Sequence, residues 1–290
     1  MTDPHVVEHV PVADDVSLHV RRWYGGGRTP VLLVHGLASN ARLWDGVATH
    51  LQAAGHPVAA VDQRGHGRSS KPDDGYDMAT VVEDLRRLVE HLGQLGWDRP
   101  VVAGQSWGGN VVVELAATHP GLAGGVVGVD GGTIELAERF GSWEDCAAAL
   151  RPPAMAGTPL TDLERMLRSS HPDWPESGIQ GTLACFEVRE DGTIAPWLTL
   201  ERHLLVLRGL WEHRPSQRYD RITEPVLLLG ADPGPAESDW HRDKVRAHDS
   251  AAAALPDARV EWLRGDHDLH AQHPELVADL LTRFADEIET

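Results

Sequence analysis

Short, mostly apolar runs recur along the chain and are separated by segments with helical periodicity. Six runs of three or four residues occupy positions 31–34, 58–61, 101–103, 126–129, 226–229 and 260–263. Uninterrupted apolar runs of this length are typical of strands that are buried on both faces of a parallel sheet. Apolar residues between the runs return at helical spacing, for example over 78–95 and 275–288. This alternation predicts an α/β fold with a mostly parallel sheet flanked by helices.

Two further strands are predicted at the start of the chain. Positions 5–12 and 16–23 alternate between apolar and polar residues, and the turn-forming sequence Ala13-Asp14-Asp15 separates them. A period of two is typical of strands with one exposed face. Together with the six apolar runs, these segments predict a sheet of eight strands, with the first two at its outer edge.

The segment 132–215 interrupts the alternation of strands and helices. It is rich in proline, arginine, tryptophan and acidic residues and contains no run comparable to the others. Consecutive strands of one α/β sheet are usually joined by much shorter connections. We therefore expect a helical cap, or lid, inserted after the sixth strand, with 1–131 and 216–290 forming the core domain.

Composition argues against several classes of partner. The chain has 26 basic and 44 acidic residues and a formal net charge of −18, which disfavours binding to nucleic acid or to anionic membranes. No apolar stretch approaches the ~20 residues of a membrane helix. The first residues lack the pattern of a secretory signal, and two cysteines form neither a disulfide framework nor a metal motif. We expect a cytoplasmic protein that acts on a small molecule.

One motif carries a nucleophile. Gly104-Gln105-Ser106-Trp107-Gly108 follows the run at 101–103 and precedes a predicted helix. In this strand–turn–helix context the pattern G-x-S-x-G is typical of a nucleophile elbow. The glycines leave room for a sharp turn that lifts the serine hydroxyl above the sheet. The following helix directs its N-terminus, with free N–H groups, at the same place.

The chain resembles the α/β-hydrolase family at this motif and at two others. His35-Gly36-Leu37 follows the third strand and is similar to the family's oxyanion loop, and positions 62–69 after the fourth strand are similar to its D-x-R-G-x-G-x-S loop. The resemblance implies that the backbone N–H groups of Leu37 and Trp107 form an oxyanion hole. For the loop at 62–69 we expect a structural role rather than a catalytic one.

A serine nucleophile needs a general base that titrates near neutrality, which indicates histidine. The chain has 17 histidines. The resemblance selects His267, because the family places its catalytic histidine in the loop between the last strand and the last helix, several residues before a proline. A metal site formed by His267, His270 and His273 is the alternative. We do not expect it, because no second ligand cluster or H-E-x-x-H motif accompanies these residues.

Two strand-end aspartates compete for the role of the acid that orients His267. Asp232 follows the run at 226–229, where the family most often carries its acid, although the spacing after Gly230 is one residue shorter than usual. Asp130 follows the run at 126–129, where a minority of the family places the acid. The Gly131-Gly132 pair after Asp130 suggests a tight turn and a structural role. We favour Asp232 and keep Asp130 as the alternative.

These residues predict hydrolysis of a carboxylic ester or lactone through an acyl-enzyme, without a cofactor or a metal. The segment 132–215 holds eight arginines and thirteen acidic residues, a balance of −5, which favours a small neutral substrate over a polyanion such as an acyl-CoA. The same triad could cleave carbon–carbon bonds, amides or thioesters, and a non-catalytic member of the fold could bind a ligand in the pocket.

Overall fold

A computed structural model describes residues 5–232 and 239–289 and contains the predicted eight-stranded sheet. The N-terminal residues 1–4, considered above for a secretory signal, lie outside the described residues. The strands of the main sheet are β1 (His5–Ala13), β2 (Val16–Trp23), β3 (Val31–Val34), β4 (Val58–Val61), β5 (Val101–Gln105), β6 (Gly125–Val129), β9 (Val226–Asp232) and β10 (Ala258–Arg264), and a small separate sheet contains β7 (Phe186–Val188) and β8 (Ile194–Pro196).

Helices fill the connections between these strands. They are α1 (Asp45–Ala53), α2 (Met78–Gln94), α3 (Trp107–Thr118), α4 (Leu136–Arg139), α5 (Trp143–Ala149), α6 (Leu160–Ser170), α7 (Glu176–Leu183), α8 (Leu200–Glu212), α9 (Asp239–Ala254), α10 (Leu269–Gln272) and α11 (Pro274–Ile288). The helices predicted at 78–95 and 275–288 correspond to α2 and α11. The apolar stripe of each one faces the core, with Leu85, Leu88 and Leu281 buried.

The strand order of the main sheet is β1-β2-β4-β3-β5-β6-β9-β10. The strand β2 pairs antiparallel with both β1 and β4, and the other pairs are parallel. This is the mostly parallel sheet that the apolar runs predict. Because parallel strands end at the same edge, the loops after β3, β5, β6 and β9 lie together.

The central strands are buried on both faces, as their continuous apolar sequences require. All four residues of β3 and β4 are fully buried. On one face, Leu32 and Val34 belong to a core with residues of α2 and α3. On the other, Val31 and Leu33 pack with residues of α1 and α11. Helices therefore cover both faces, as the α/β prediction states.

The long insertion after β6 consists mainly of helices. It contains α4 to α8, and the antiparallel pair β7–β8 is an element that the sequence did not predict. A small core holds part of the insertion together and includes Leu163, Trp174 and Ile179; it also takes in Leu43 from the loop after β3. The insertion thus packs onto the edge where the parallel strands end.

Both ends of the insertion are attached to α3. The Asn110 side chain accepts from the Gly132 amide at 3.0 Å and donates to the Ile134 carbonyl at 2.8 Å. Four residues further along α3, the Glu114 carboxylate contacts His213 Nε2 at 3.0 Å, where the chain leaves α8. Glu114 also pairs with Arg218 at 2.9 Å. One helix therefore anchors the entry and the exit of the insertion.

In residues 5–232 and 239–289, no helix has the length and apolar content that crossing a membrane would require.

Candidate active site

Ser106 lies in the turn between β5 and α3 and has a strained backbone. Its φ of 52° and ψ of −120° place a non-glycine residue in a rarely populated region. Such strain persists only where the surrounding structure enforces it, and it is concentrated at functional sites. Ser106 immediately precedes α3. The N–H groups in the first turn of a helix have no partner within the helix. The side chain of Ser106 is partly exposed, while Gln105 and Trp107 on either side are buried.

The turn depends on glycines that let backbones approach closely. A Cβ atom at Gly104 would lie 2.1 Å from the carbonyl oxygen of Gly108, and one at Gly108 would lie 2.5 Å from the carbonyl oxygen of His35. A Cβ atom at Gly131, after β6, would lie 2.2 Å from the carbonyl oxygen of Ser106. Larger residues at these positions would force the backbone apart. The spacing predicted for Gly104 and Gly108 therefore has a direct steric cause.

The loop after β3 lies beside Ser106. A Cβ atom at Gly36 would be 3.1 Å from the Cβ atom of Ser106. The Ser39 amide donates to the Gly36 carbonyl at 3.3 Å and closes a turn that contains Leu37. Ala38 has a φ of 60°, so this turn is also strained. The predicted oxyanion loop and the predicted nucleophile are therefore neighbours.

Two buried histidines hold the same loop. The Gln63 amide donates to His35 Nε2 at 3.0 Å, so the proton of that ring is on Nδ1, which donates to the Gly36 carbonyl at 2.7 Å. The Ala38 amide donates to His66 Nε2 at 3.2 Å. Burial lowers the pKa of both histidines below the usual value, which keeps the rings neutral and able to accept these bonds.

The side chain of Trp107 is buried in the core and does not face an open pocket. Its side chain is 1% exposed and its ring stacks on His66, with the ring centroids 5.4 Å apart. Trp107 is the first residue of α3, so its N–H group has no partner within the helix.

His267 forms a hydrogen bond with Asp130. The distance from His267 Nδ1 to Asp130 Oδ2 is 2.5 Å. The side chain of Asp130 is 1% exposed, whereas that of His267 is 51% exposed. With the Nδ1 proton donated to the carboxylate, Nε2 keeps the lone pair that a general base uses. Asp130 itself has a φ of 45°, which is a third strained position at this edge of the sheet, after Ser106 and Ala38.

The structure therefore pairs His267 with Asp130 rather than with the favoured Asp232. Asp232 is the last paired residue of β9, in register with Arg264 of β10, and its carbonyl accepts from the Gly265 amide at 3.0 Å. From the sequence, the glycines after Asp130 indicate a structural turn. They have another effect, because the absence of a side chain at Gly131 brings the end of β6 against Ser106.

Comparisons with known proteins identify the fold family of the chain. The sequence profile of the α/β-hydrolase fold matches residues 29–171. A haloalkane dehalogenase from Psychrobacter cryohalolentis is 32% identical over an alignment that covers 97% of this chain and 92% of that protein. The chain belongs to the α/β-hydrolase family.

Other members of the family match along almost the whole chain. A 2-(acetamidomethylene)succinate hydrolase from Mesorhizobium japonicum is 26% identical, and the alignment covers 93% of this chain and 92% of that protein. The crystal structure of an E-2-(acetamidomethylene)succinate hydrolase superposes with a TM-score of 0.77 at 23% identity, and the match covers 97% of this chain and 99% of the other. These relatives are hydrolases, and the solved structure has the fold described above.

In this α/β-hydrolase, opposing effects set the pKa of His267. Burial disfavours the charged ring, but the hydrogen bond and the negative charge of Asp130 outweigh it and raise the pKa above the usual value. Burial also opposes ionisation of Asp130, but the contacts with His267 and with Lys244 together outweigh it and lower the pKa of Asp130. The pair is therefore arranged to stabilise a protonated imidazole.

Two contacts at the site were not anticipated from the sequence. The side-chain amide of Gln105 donates to the His267 carbonyl at 3.2 Å and connects the serine turn to the histidine loop. Lys244 of α9 places its ammonium 2.8 Å from Asp130 Oδ1. Gln105 occupies a variable position of the G-x-S-x-G pattern, and Lys244 is 114 residues from Asp130. No spacing in the sequence predicts either contact.

A cavity of about 570 Å³ adjoins the histidine side of the site. Asp130, Lys244 and His267 contribute to its wall, together with apolar surface from Tyr219 and Trp240. The residues that line this cavity include His267 and Asp130 but not Ser106.

The other two histidines of the last loop have different surroundings. His270 is fully buried, and its ring centroid lies 4.3 Å from that of Trp44. His273 immediately precedes α11, and its amide donates to the Leu269 carbonyl at 2.7 Å. Within residues 5–232 and 239–289, no group of three or more histidine, cysteine or acidic side chains is arranged to hold a metal ion.

The loop at 62–69 is held by buried polar contacts. Arg64 forms a two-pronged ion pair with Asp84 of α2, with distances of 2.5 and 2.7 Å. The Asp62 carboxylate accepts from the amides of Ala41 and Arg68 at 2.7 and 2.8 Å. These contacts are consistent with the structural role expected for the loop, because they tie it to α2 and to the segment after β3.

Proposed function

We propose that this α/β-hydrolase is a serine hydrolase that cleaves a carboxylic ester or lactone of a small neutral substrate through an acyl-enzyme. The observation that carries the proposal is the hydrogen bond of 2.5 Å between His267 Nδ1 and the buried carboxylate of Asp130. It leaves Nε2 as a base in the loop that Gln105, the neighbour of Ser106, also contacts.

In the proposed reaction Ser106 attacks the substrate carbonyl while His267 removes the hydroxyl proton. His267 then gives that proton to the leaving alcohol, and a water molecule activated by the same histidine releases the acid. We propose Asp130, in place of Asp232, as the third member of the triad. Its role is to hold the tautomer of His267 and to stabilise the imidazolium that forms in each step.

Attack on the carbonyl creates an alkoxide that needs fixed hydrogen-bond donors. We propose the backbone N–H groups of Leu37 and Trp107 for this role. The position of Gly36 beside Ser106 and the helix N-terminus at Trp107 support the assignment. Removing one such donor typically costs about 3 kcal/mol of barrier. His35 and His66 would keep the Leu37 turn in place through their bonds to Gly36 and Ala38.

The insertion at 132–215 would act as a cap that selects the substrate. Its net charge of −5 favours a neutral substrate over a polyanion. Its attachment to Asn110 and Glu114 of α3 supports this role, because α3 also carries Ser106 at its N-terminus. The core would then comprise 1–131 and 216–290.

The dehalogenase relative does not favour dehalogenation here. Haloalkane dehalogenases of this fold use an aspartate nucleophile, and Ser106 occupies the equivalent turn in this chain. Amide cleavage is the second candidate, because the relative from Mesorhizobium japonicum is named for an acetamido-substituted succinate and matches 93% of the chain. The same triad could attack either carbonyl.

A substrate panel with a labelling reagent tests the proposal. Purified protein and its Ser106→Ala variant would be treated with a fluorophosphonate probe between pH 6 and 9 and digested, to identify the labelled residue by mass spectrometry. Rates would be measured on p-nitrophenyl esters of increasing acyl length, on lactones, on matched p-nitroanilides and on acyl-CoA thioesters. Both proteins would be compared by circular dichroism.

We expect labelling at Ser106 only, and higher kcat/KM on short esters or lactones than on the other classes. Higher rates on the anilides would replace the ester assignment with amide hydrolysis, and higher rates on acyl-CoA would contradict the neutral substrate. If the intact protein did not label and had no activity on any class, the catalytic role would be wrong and the fold would serve ligand binding.

A further inference from the structure

Lys244 is an unusual residue in this chain. The protein has 26 basic residues, of which only Lys71 and Lys244 are lysines. On α9 the neighbouring charges lie at the surface, where Asp243 pairs with Arg139 and with Arg246. The side chain of Lys244 is instead directed inward and is 17% exposed. Its position therefore differs from that of the other charged residues of the helix.

The ammonium of Lys244 is surrounded by three oxygen atoms. Nζ donates to Asp130 Oδ2 at 2.9 Å and to the carbonyl oxygen of Ala231 at 3.1 Å. It also lies 2.8 Å from Asp130 Oδ1, which makes an ion pair with the carboxylate as a whole. The Lys244 side chain is therefore fixed to both the end of β9 and the carboxylate of Asp130.

Asp130 is held on all sides by these contacts. Oδ2 accepts from both His267 Nδ1 and Lys244, while Oδ1 accepts from the Ala231 amide at 2.8 Å and lies within ion-pair distance of the Lys244 ammonium. The carboxylate cannot rotate away from His267 without losing hydrogen bonds to β9 and α9. Lys244 thus restrains the orientation of the group that restrains His267.

We propose that Lys244 is a positioning residue of the active site, which holds Asp130 in the orientation that His267 needs and offsets part of its negative charge. The inference rests on the proposed roles of His267 and Asp130. With part of that charge offset, the imidazolium is stabilised less strongly, and His267 stays neutral, and able to act as a base, at a lower pH than it would with Asp130 alone.

The geometry sets the size of this effect. Nζ of Lys244 and Nδ1 of His267 lie 2.9 and 2.5 Å from the same oxygen, so the two nitrogens are at most about 5.4 Å apart. Because half of the His267 side chain is exposed, water screens the interaction. Two unit charges at this separation, in a dielectric between those of a protein surface and water, shift each other's pKa by about one unit.

The positive charge of Lys244 opposes the effect of nearby carboxylates on the pKa of His267. Among the described residues, His267 is faced by Asp130 after β6, by Lys244 of α9, by Asp268 of its own loop and by His270 of α10. Asp268 is in turn faced by Asp266 and by His171, which follows α6. Burial opposes the charged form of His267, and Asp130 and Asp268 favour it. Lys244 is the nearby cation that limits the rise in the pKa of His267.

The test is a titration of His267 by ¹⁵N NMR in the full-length protein and in the Lys244→Met variant. The His267→Ala variant assigns the signal. The matched control is Arg246→Met, because it removes the same charge from the same helix at a side chain that is 75% exposed. If Lys244→Met does not fold, Lys244→Gln replaces it, since Gln removes the charge but keeps a donor for Asp130.

We expect the pKa of His267 to rise by about one unit without the Lys244 charge and to stay unchanged in Arg246→Met. The acidic limb of kcat/KM on an ester should move to higher pH by the same amount. An unchanged or lower pKa of His267 in a folded Lys244 variant would overturn the proposal. The titration needs no turnover, so a failure of the hydrolase assignment would be seen separately, as absent activity in the unmodified protein.

Discussion

Replacing Asp130 with asparagine tests the third member of the proposed triad. Asparagine has nearly the same shape, but only one of its two terminal atoms can accept a hydrogen bond. In the structure both oxygens of Asp130 accept hydrogen bonds, Oδ2 from His267 and Lys244, and Oδ1 from the Ala231 amide. If the remaining oxygen stays on the Ala231 side, the amide NH₂ faces His267. Nδ1 must then accept, and the proton moves to Nε2, where the base is needed.

The size of the effect follows from that change of tautomer. In the serine protease triad, the same substitution lowers kcat by about 10⁴-fold, which corresponds to roughly 5.5 kcal/mol of barrier. The side chain of His267 is 51% exposed here, so water can partly replace the lost interaction. We therefore expect kcat/KM to fall by between about 10²- and 10⁴-fold. Lys244 also loses a charged partner, and we expect a loss of about 1–3 kcal/mol in the free energy of unfolding.

The assay compares Asp130→Asn with Asp232→Asn, using kcat/KM on an ester substrate at pH 8 and urea denaturation followed by circular dichroism. The double variant Asp130→Asn/Lys244→Met separates the two effects, because it relieves the unpaired ammonium and should recover stability without recovering activity. The reasoning is refuted if folded Asp130→Asn keeps at least about a tenth of the activity while Asp232→Asn loses it.

Three other predictions concern the same site. Asp130 outweighs the effect of burial and raises the pKa of His267, so kcat/KM should decline on acidification with a midpoint above pH 6.5. A pH profile of kcat/KM with a midpoint below pH 6.5 would contradict this prediction. Gly131→Ala should reduce activity at least about 10²-fold, since a Cβ atom would meet the Ser106 carbonyl at 2.2 Å; wild-type kcat/KM in the variant would show that this contact does not matter. Burial lowers the pKa of His270 to about 3, so the unfolded chain binds its proton first and stability falls as the pH drops below 6.5. When the pH is lowered from 7 to 5, the free energy of unfolding of His270→Phe should therefore fall by roughly 2 kcal/mol less than that of the wild type. Urea denaturation at the two pH values measures this, and equal losses in the two proteins would contradict it.

The strands and the serine turn were predictable because their causes are local. A run such as 58–61 has no polar residue to face water, which is typical of a strand buried on both sides, as β4 is. The turn at Ser106 needs small residues two positions away on each side, and Gly104 and Gly108 supply them. The helical stripe of α2 is another pattern that repeats within a few residues. The pair β7–β8 lacks such a pattern, because its strands have three residues each.

The choice between the two aspartates belongs to the tertiary structure. Asp130 follows β6 and Asp232 ends β9, and these strands are neighbours in the sheet, so both residues lie at the edge where His267 is found. What separates them is the backbone after the last paired residue. Asp130 leaves the sheet with a φ of 45°, while Asp232 is still paired with β10. This difference in backbone direction arises from the packing of Gly131 against Ser106, and the spacing of residues in the sequence does not predict it.

The sequence by itself determined the strand and helix pattern, the family resemblance, and Ser106 and His267 as the candidate nucleophile and base. Each of these depends on residues close together in the chain or on a motif at a strand end. Only the tertiary structure brought Lys244 to Asp130 and Gln105 to His267, across 114 and 162 positions. Side chains that meet over such distances are selected by how α9 and the last loop pack on the sheet, and that packing depends on the whole chain at once.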